Sequence, residues 1–298
     1  MKTEHRDVYE RITNTIVEAI EKGAGEWNMP WHCPTGAQFV PVNAQSKRPY
    51  RGINILSLWV AAYEHGFETN LWATFKQWDE LGAHVKKGER GTFIVFWKFS
   101  DLESDENSKD QKQEEEETRR SILARGYTVF NASQVEGFQL PEQPPRPEIE
   151  RVQSAEEFFA ALGADVRHGG YRACYVPKTD QIQMPNFQIF KSAVAYYSTL
   201  SHESTHWTGA PQRLNRQLST RFGGEAYAAE ELIAELGAAF LCAELGLSNE
   251  PRPENAAYVA SWLRVLKNDK KAIFTAASKA QAAADYMHAK QGEKRLVA

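Results

Sequence analysis

Residues 196–211 read YYSTLSHESTHWTGAP, and within them His202-Glu203-Ser204-Thr205-His206 sets two imidazoles four positions apart, with a carboxylate beside the first. The stretch from Phe187 to Thr205 contains no proline or glycine and can be helical, with Val194, Tyr197, Leu200 and Ser204 along one side. On a helix, positions i and i+4 lie about 6 Å apart on one face. That spacing lets two imidazoles hold one Zn²⁺ at about 2.0–2.1 Å each, and it turns Glu203 toward a metal-held water as general base. The bland reading makes both histidines ordinary polar residues of a surface helix, since the bare motif has a real false-positive rate.

A catalytic zinc takes three protein ligands and keeps one position open, so the motif asks for a third ligand on a neighbouring helix. The segment 225–246, EAYAAEELIAELGAAFLCAELG, offers Glu230, Glu231 and Glu235 ahead of Gly237, Ala238 and Ala239, small residues that permit close helix approach. Ala234, Leu236 and Ala238 predict burial around Glu235, and a buried carboxylate needs a partner, which makes Glu235 the expected ligand. Glu231 then accepts a histidine N–H from behind, and the reverse assignment stands beside this one. The chemistry so predicted is metal-assisted amide hydrolysis. Zinc, or another divalent transition metal, polarises the carbonyl, while Glu203 takes the water's proton and returns it to the leaving amine. The strand in DQIQMP (180–185) offers an edge for an extended peptide. Tyr227 and His168 are the candidate oxyanion donors.

The rest of the 298-residue chain reads as α+β and as two domains, at roughly 100–200 residues each. Hydrophobic residues at 42% and charged ones at 25% describe a globular protein. No apolar run approaches the roughly 20 residues of a membrane helix, which predicts no membrane partner. The N-terminus lacks an apolar core of signal-peptide type, and the three scattered cysteines, Cys33, Cys174 and Cys242, argue against a disulfide framework; both predict the cytoplasm. His32 and Cys33 in PWHCP have no matching pair at ligand spacing and are read as structural.

Helices are expected over 1–22 and 55–63, a hairpin ending in the strand 92–99, and a strand from 121 onward that rejoins the first sheet. Between these strands, residues 101–120 hold nine acids and four bases with almost no apolar residue, and read as a mobile acidic loop. The proline-rich 141–152 reads as a linker between a domain at 1–140 and another at 153–298. Long helices are expected to fill the end of the chain to about residue 291.

The net charge of -4 looks wrong for a nucleic-acid binder, but charge is segregated: between residues 40 and 98 there are eight Lys/Arg against five Asp/Glu. Six of the eight tryptophans lie in the first hundred residues. Bases of single strands stack on aromatic rings while cations neutralise phosphates. SKRPYRGIN (46–54) supplies Lys47, Arg48, Tyr50, Arg51 and Asn54; Trp72 supplies a ring; VKKGERG (85–91) supplies Lys86, Lys87 and Arg90. The competing reading places most of these rings in the core and the cations on solvated turns.

WNMPW (27–31), NAQSKRPYRGIN (43–54) and LWATFKQWDELGAHVKKGERGTFIVFW (71–97) resemble the N-terminal single-stranded-DNA-binding domain of the ArdC-type antirestriction proteins, a module also found in certain plasmid primases. LSHESTHWTGAPQRLNR (200–216) with YAAEELIAELGAAFLCAELG (227–246) resembles the zincin-like metallopeptidase domain that follows it there. The resemblance implies a small mixed α+β nucleic-acid-binding domain before a mainly helical zincin-like one, and a zinc peptidase of gluzincin-like type. It places the metal pair on His202 and His206, the catalytic glutamate on Glu203, and the third ligand on the Glu231/Glu235 helix. It implies protection of incoming plasmid DNA from restriction, with single-stranded DNA and a DNA-associated host protein as partners. The alternative is a non-catalytic single-strand binder that blocks restriction by occupancy, its metal structural. The acidic loop is the least family-like part, and repulsion of DNA from one side is the only role assigned to it.

Overall fold

The structure is a computed structural model that describes residues 8–23, 29, 31, 40–100, 121–140, 148–216, 225–247 and 256–293. His32, Cys33 and the acidic segment 101–120 lie outside these residues.

The first helix, α1 (Val8–Gly23), buries Ile12, Ile16 and Ile20 at helical spacing. The second, α2 (Ile53–His65), buries every residue from Ile53 to Ala61, so it runs through the interior rather than along a surface. Gly66 ends it in the left-handed conformation (φ 66°), with its N–H donating to the Ala62 carbonyl. A four-stranded sheet follows in the order β1-β2-β5-β4, from β1 (Val42–Asn43), β2 (Leu71–Thr74), β4 (Thr92–Ser100) and β5 (Ser121–Asn131). The short helix α3 (Phe75–Glu80) opens on a capping box between Thr74 and Gln77. Two short strands, β3 (His84–Val85) and β6 (Val135–Glu136), pair with each other.

The sequence reading needs correction here. The partner of β4 is β5, antiparallel in unbroken register from Thr92↔Val129 to Ser100↔Ser121, so the acidic segment joins two paired strands. The chain before β4 pairs instead with β6. The expected linker is also shortened, because α4 (Glu148–Leu162) already begins at residue 148.

A three-stranded sheet, β7 (Asp165–His168), β9 (Gln181–Met184) and β8 (Cys174–Val176), has β9 in the centre. Four helices complete the chain: α5 (Ala193–Thr208), α6 (Glu225–Leu245), α7 (Ala256–Asn268) and α8 (Ala272–Glu293). The helix α5 starts later than periodicity suggested. Ser192 caps it by accepting from the Ala195 N–H at 3.0 Å, and Phe187–Ile189 forms a separate 3-10 turn. No helix among the described residues is long and apolar enough to cross a membrane.

The architecture is mixed α+β in two domains, yet its largest core takes residues from both. Ile16 and Ile20 of α1 and Ile55, Leu56 and Trp59 of α2 pack with Leu232, Leu236 and Phe240 of α6, Trp262 of α7 and Ile273 of α8. Trp59 meets Phe240 at 5.9 Å between ring centroids, and Trp31 meets Trp262 at 6.3 Å. A second core, under α4, α5 and the three-stranded sheet, holds Phe158, Ile182, Tyr197 and Trp207.

Candidate metal centre

The helices α5 and α6 approach closely because of one glycine. A Cβ on Gly237 would lie 2.6 Å from both the Oγ1 and Cγ2 atoms of Thr205, so only glycine fits without displacing α5. This contact brings the histidines of α5 against the glutamates of α6, and all of these side chains are buried or nearly so.

His202 Nε2 and His206 Nε2 lie 3.2 Å apart. Glu231 faces both, with Oε2 at 3.4 Å from His202 Nε2 and Oε1 at 3.5 Å from His206 Nε2. One ligand atom each from His202, His206 and Glu231 falls within 4.8 Å of the others, as a single ion would require. Glu235 is placed differently: its Oε2 lies 3.7 Å from Nδ1 of His202, on the far side of the ring. The geometry differs from the expectation: Glu235 packs behind the imidazole, while Glu231, one turn earlier, reaches the gap between the rings.

Glu230, absent from the expected set, mirrors Glu235. Its Oε1 lies 3.3 Å from His206 Nδ1, so each histidine has a carboxylate behind it, the arrangement that fixes the tautomer of a metal-ligating imidazole. Glu230 is in turn held by the buried Arg216, whose Nη2 donates to Oε1 at 2.8 Å and whose Nε donates to Oε2 at 3.1 Å. Arg216 also donates to the Thr208 hydroxyl and the Thr205 carbonyl, tying the loop after α5 to α6. The sequence offered Glu230 only as one acid among three on the same helix; Arg216 carried no signal, since it acts from a loop.

Burial pushes the Glu231 carboxyl up, but its hydrogen bond to His202, the charges of His206 and His202 and a hydrogen bond to Tyr227 outweigh this and hold it down at about 2. For Glu230 burial acts in the same upward sense and is overcome by His206 and Arg216, so its carboxyl is also held below the ordinary value. Glu203, Glu230, Glu231 and Glu235 are four buried carboxylates served by one arginine. Carboxyl groups and imidazoles brought together out of water in this way are completed by a bound cation. The donor set therefore fits a divalent metal.

Glu203 is held by the small sheet rather than by α6. Its Oε2 accepts the backbone N–H of Tyr175 at 2.8 Å, which links the motif helix to β8. Burial and the hydrogen bond to Asp180 push the Tyr175 hydroxyl up to about 12. Asp180 is paired with Arg213, whose guanidinium stacks over Trp207 at 4.0 Å. The central position of β9 corrects the expectation that DQIQMP offers an open edge: β8, the strand that touches Glu203, is the edge strand on this side.

Of the two candidate oxyanion donors, Tyr227 lies beside Glu231 and 3.2 Å from the Tyr258 hydroxyl. His168 does not join the centre: it bonds the Tyr196 hydroxyl at 2.9 Å and stacks on that ring.

The N-terminal candidates divide sharply. Tyr50 and Trp72 are core residues, 5% and 1% exposed, which removes both from any binding surface. Tyr50 receives the Asn43 amide at 3.1 Å, and Trp72 packs edge-on against Phe67. Asn54 is buried too, accepting from Val95 N–H at 2.9 Å and donating to its carbonyl at 2.7 Å, so it covers the free edge of β4 as another strand would. These rings and this amide are inward because α2 lies against the sheet. The cations remain outside. Lys47 sits exposed in a turn at φ 59°, Arg48, Lys87 and Arg90 are exposed, and Lys86 donates to the Ser133 carbonyl at 3.0 Å. Arg51 is exposed but ion-paired with Asp285 of α8.

A helix pair presenting two histidines and a glutamate, packed beside a small sheet, defines a zincin-like metallopeptidase domain, and residues 153–279 match the family model described as a zincin-like metallopeptidase. Residues 6–130 match the N-terminal domain of the anti-restriction factor ArdC. The crystal structure of the metal-free antirestriction protein ArdC from plasmid R388 superposes with a TM-score of 0.76 at 38% identity, covering 96% of this chain and 98% of that one. Its Mn(II)-bound form gives 0.75, with 95% and 98% covered. The Sinorhizobium fredii protein y4eC is 52% identical over 287 residues, 96% of this chain and 93% of that protein. The chain belongs to the ArdC antirestriction family. It is also 37% identical over 301 residues to the Escherichia coli DNA primase TraC, of which it spans 27%.

Proposed function

We propose that this protein is an antirestriction factor that binds single-stranded DNA through residues 1–140 and carries a zinc-dependent peptidase in residues 153–298. It would act in the cytoplasm on a host protein associated with entering DNA. The observation that carries the peptidase reading is the convergence of His202 Nε2, His206 Nε2 and Glu231 within 4.8 Å, with the Glu203 carboxylate held separately by the Tyr175 N–H. His202, His206 and Glu231 hold the metal in this reading, while Glu235 and Glu230 orient the two imidazoles. When bound, zinc, or a divalent ion such as the Mn(II) of the R388 relative, supplies Lewis-acid polarisation and acidifies water. Glu203 receives a proton at Oε1 and passes it to the leaving amine, and its bond to Tyr175 fixes Oε2 throughout. Lys47, Arg48, Lys86, Lys87 and Arg90 are the phosphate contacts.

The test is protection of incoming plasmid DNA in restricting cells by wild type and by Glu203→Gln at matched expression, with fold and metal content verified. Loss of protection supports the peptidase. A second reading, occupancy of single strands without cleavage, is favoured by the exposed cations, which belong to loops of the N-terminal half and contribute no bond to the α5–α6 cluster among the described residues. Full protection by the Gln variant would establish that reading in place of the first.

A further inference from the structure

With Tyr50 and Trp72 in the core, the stacking surface of a single-strand binder has to be sought among rings that face water. On β4 and β5 the register places Ile94 opposite Tyr127 and Phe96 opposite Arg125. Alternation along each strand puts all four on one face. Ile94 is 1% exposed beneath α2, in a cluster with Leu58, Ala61 and Trp72. Two residues further along, the cover stops: Phe96 is 50% and Tyr127 36% exposed. Their rings are perpendicular, with centroids 5.4 Å apart, and the Arg125 guanidinium lies 5.5 Å above Tyr127. Arg125 is exposed and makes no ion pair among the described residues.

The back of this patch is braced. Gly126 lies between Arg125 and Tyr127, and a Cβ there would fall 2.2 Å from the Phe93 ring, so Phe93 is pressed flat against β5 on the opposite face. Arg11 of α1 stacks over Phe93 at 4.2 Å. The exposed rings therefore stand on a rigid strand pair rather than on a loop.

We propose that Phe96, Tyr127 and Arg125 form the stacking platform for bases of single-stranded nucleic acid, resting on the reading that this half of the protein binds single strands. The chemistry selects this occupant over an apolar protein surface. The patch is two rings wide and carries a cation with no ion-pair partner among the described residues, which suits a π-faced base attached to a phosphate. A protein interface would want a larger apolar area.

The experiment measures binding of a labelled oligothymidylate by fluorescence anisotropy with the full-length protein. Phe96→Ala and Tyr127→Ala are each expected to weaken binding about tenfold with the salt slope unchanged, as for loss of one stacked base. Arg125→Gln is expected to lower the salt slope by about 0.7, one phosphate on a single strand. Phe96→Trp should bind at least as well as wild type. A measurement on wild type guards against misfolded variants: photo-crosslinking to 5-iodouracil oligonucleotides should mark the β4–β5 peptides. Wild-type affinity in folded Phe96→Ala/Tyr127→Ala, or crosslinks confined to other peptides, would overturn the platform while leaving single-strand binding intact. Absence of binding by wild type would instead remove the underlying reading. Loss of a dimer in sedimentation of Phe96→Ala, with binding unchanged, would reassign the patch to contact between copies.

Discussion

The α5–α6 pair and the far end of the β4–β5 ladder allocate side chains in opposite ways. The helices bury four carboxylates, two imidazoles and a guanidinium. The strands display two aromatic rings to water. Both arrangements forgo stability, the first through desolvation of charge and the second through unburied apolar surface. A fold keeps such features where another component completes them: a cation among the carboxylates, a planar base on the rings. The difference lies in what each site does alone. The helical centre is already cross-braced by ion pairs, whereas the rings depend only on the strands beneath.

Removing a brace at the helical centre is the strongest way to break the comparison. Glu230→Ala leaves Arg216 buried without its carboxylate, and we expect a loss of about 3–5 kcal/mol in chemical denaturation; a change under about 1 kcal/mol would show that Arg216 finds water. Two rings of one sheet sharpen the contrast next. Trp72→Ala should cost about 3–5 kcal/mol, while Phe96→Ala should stay within about 0.5 kcal/mol; comparable losses would mean that Phe96 is covered in solution. The third comparison is between neighbouring acids. Glu231→Gln should weaken zinc binding by more than about 100-fold and Glu235→Gln by about 10- to 100-fold, read by competition with a chromophoric chelator; the opposite ranking would restore Glu235 as the ligand.

The smallest effect is a pH dependence at the α6–α8 contact. A hydrogen bond from His288 to Glu244 raises the imidazole above its ordinary value, against the opposing effect of burial. A raised folded-state value means that the contact stabilises fully below about pH 6.5 and loses that contribution as pH rises through the folded value. Because His288 is 44% exposed, screening reduces this to a few tenths of a kcal/mol. Thermal melts at pH 6 and pH 8 should differ less for His288→Gln than for wild type.

How much of this was legible depended on range. The positions of His202, Glu203 and His206 follow from helical spacing, and Gly237 from the need for close packing, both local properties of a segment. Glu231 and Glu235 share a face of α6 one turn apart, and which of them reaches the gap between the rings is something hydrophobic flanks cannot resolve. In the N-terminal half, exposure is decided by where α2 lies on the sheet, a long-range fact. Tyr50 and Phe96 look alike in sequence, each beside a cation or a strand, yet one is covered and the other is not. The pairing of β4 with β5 was hidden for a related reason, since its two strands are separated by twenty residues of unrelated composition.

The interleaving of α1 and α2 with α6, α7 and α8 has a consequence for inheritance. A gene fragment ending near residue 140 would encode half of an interior, with Ile16, Leu56 and Trp59 left facing solvent. Separating the segments would expose both halves of this core at once, so neither keeps its interior without the other. The alignment with TraC spans 94% of this chain inside a protein several times as long, so both segments have counterparts there.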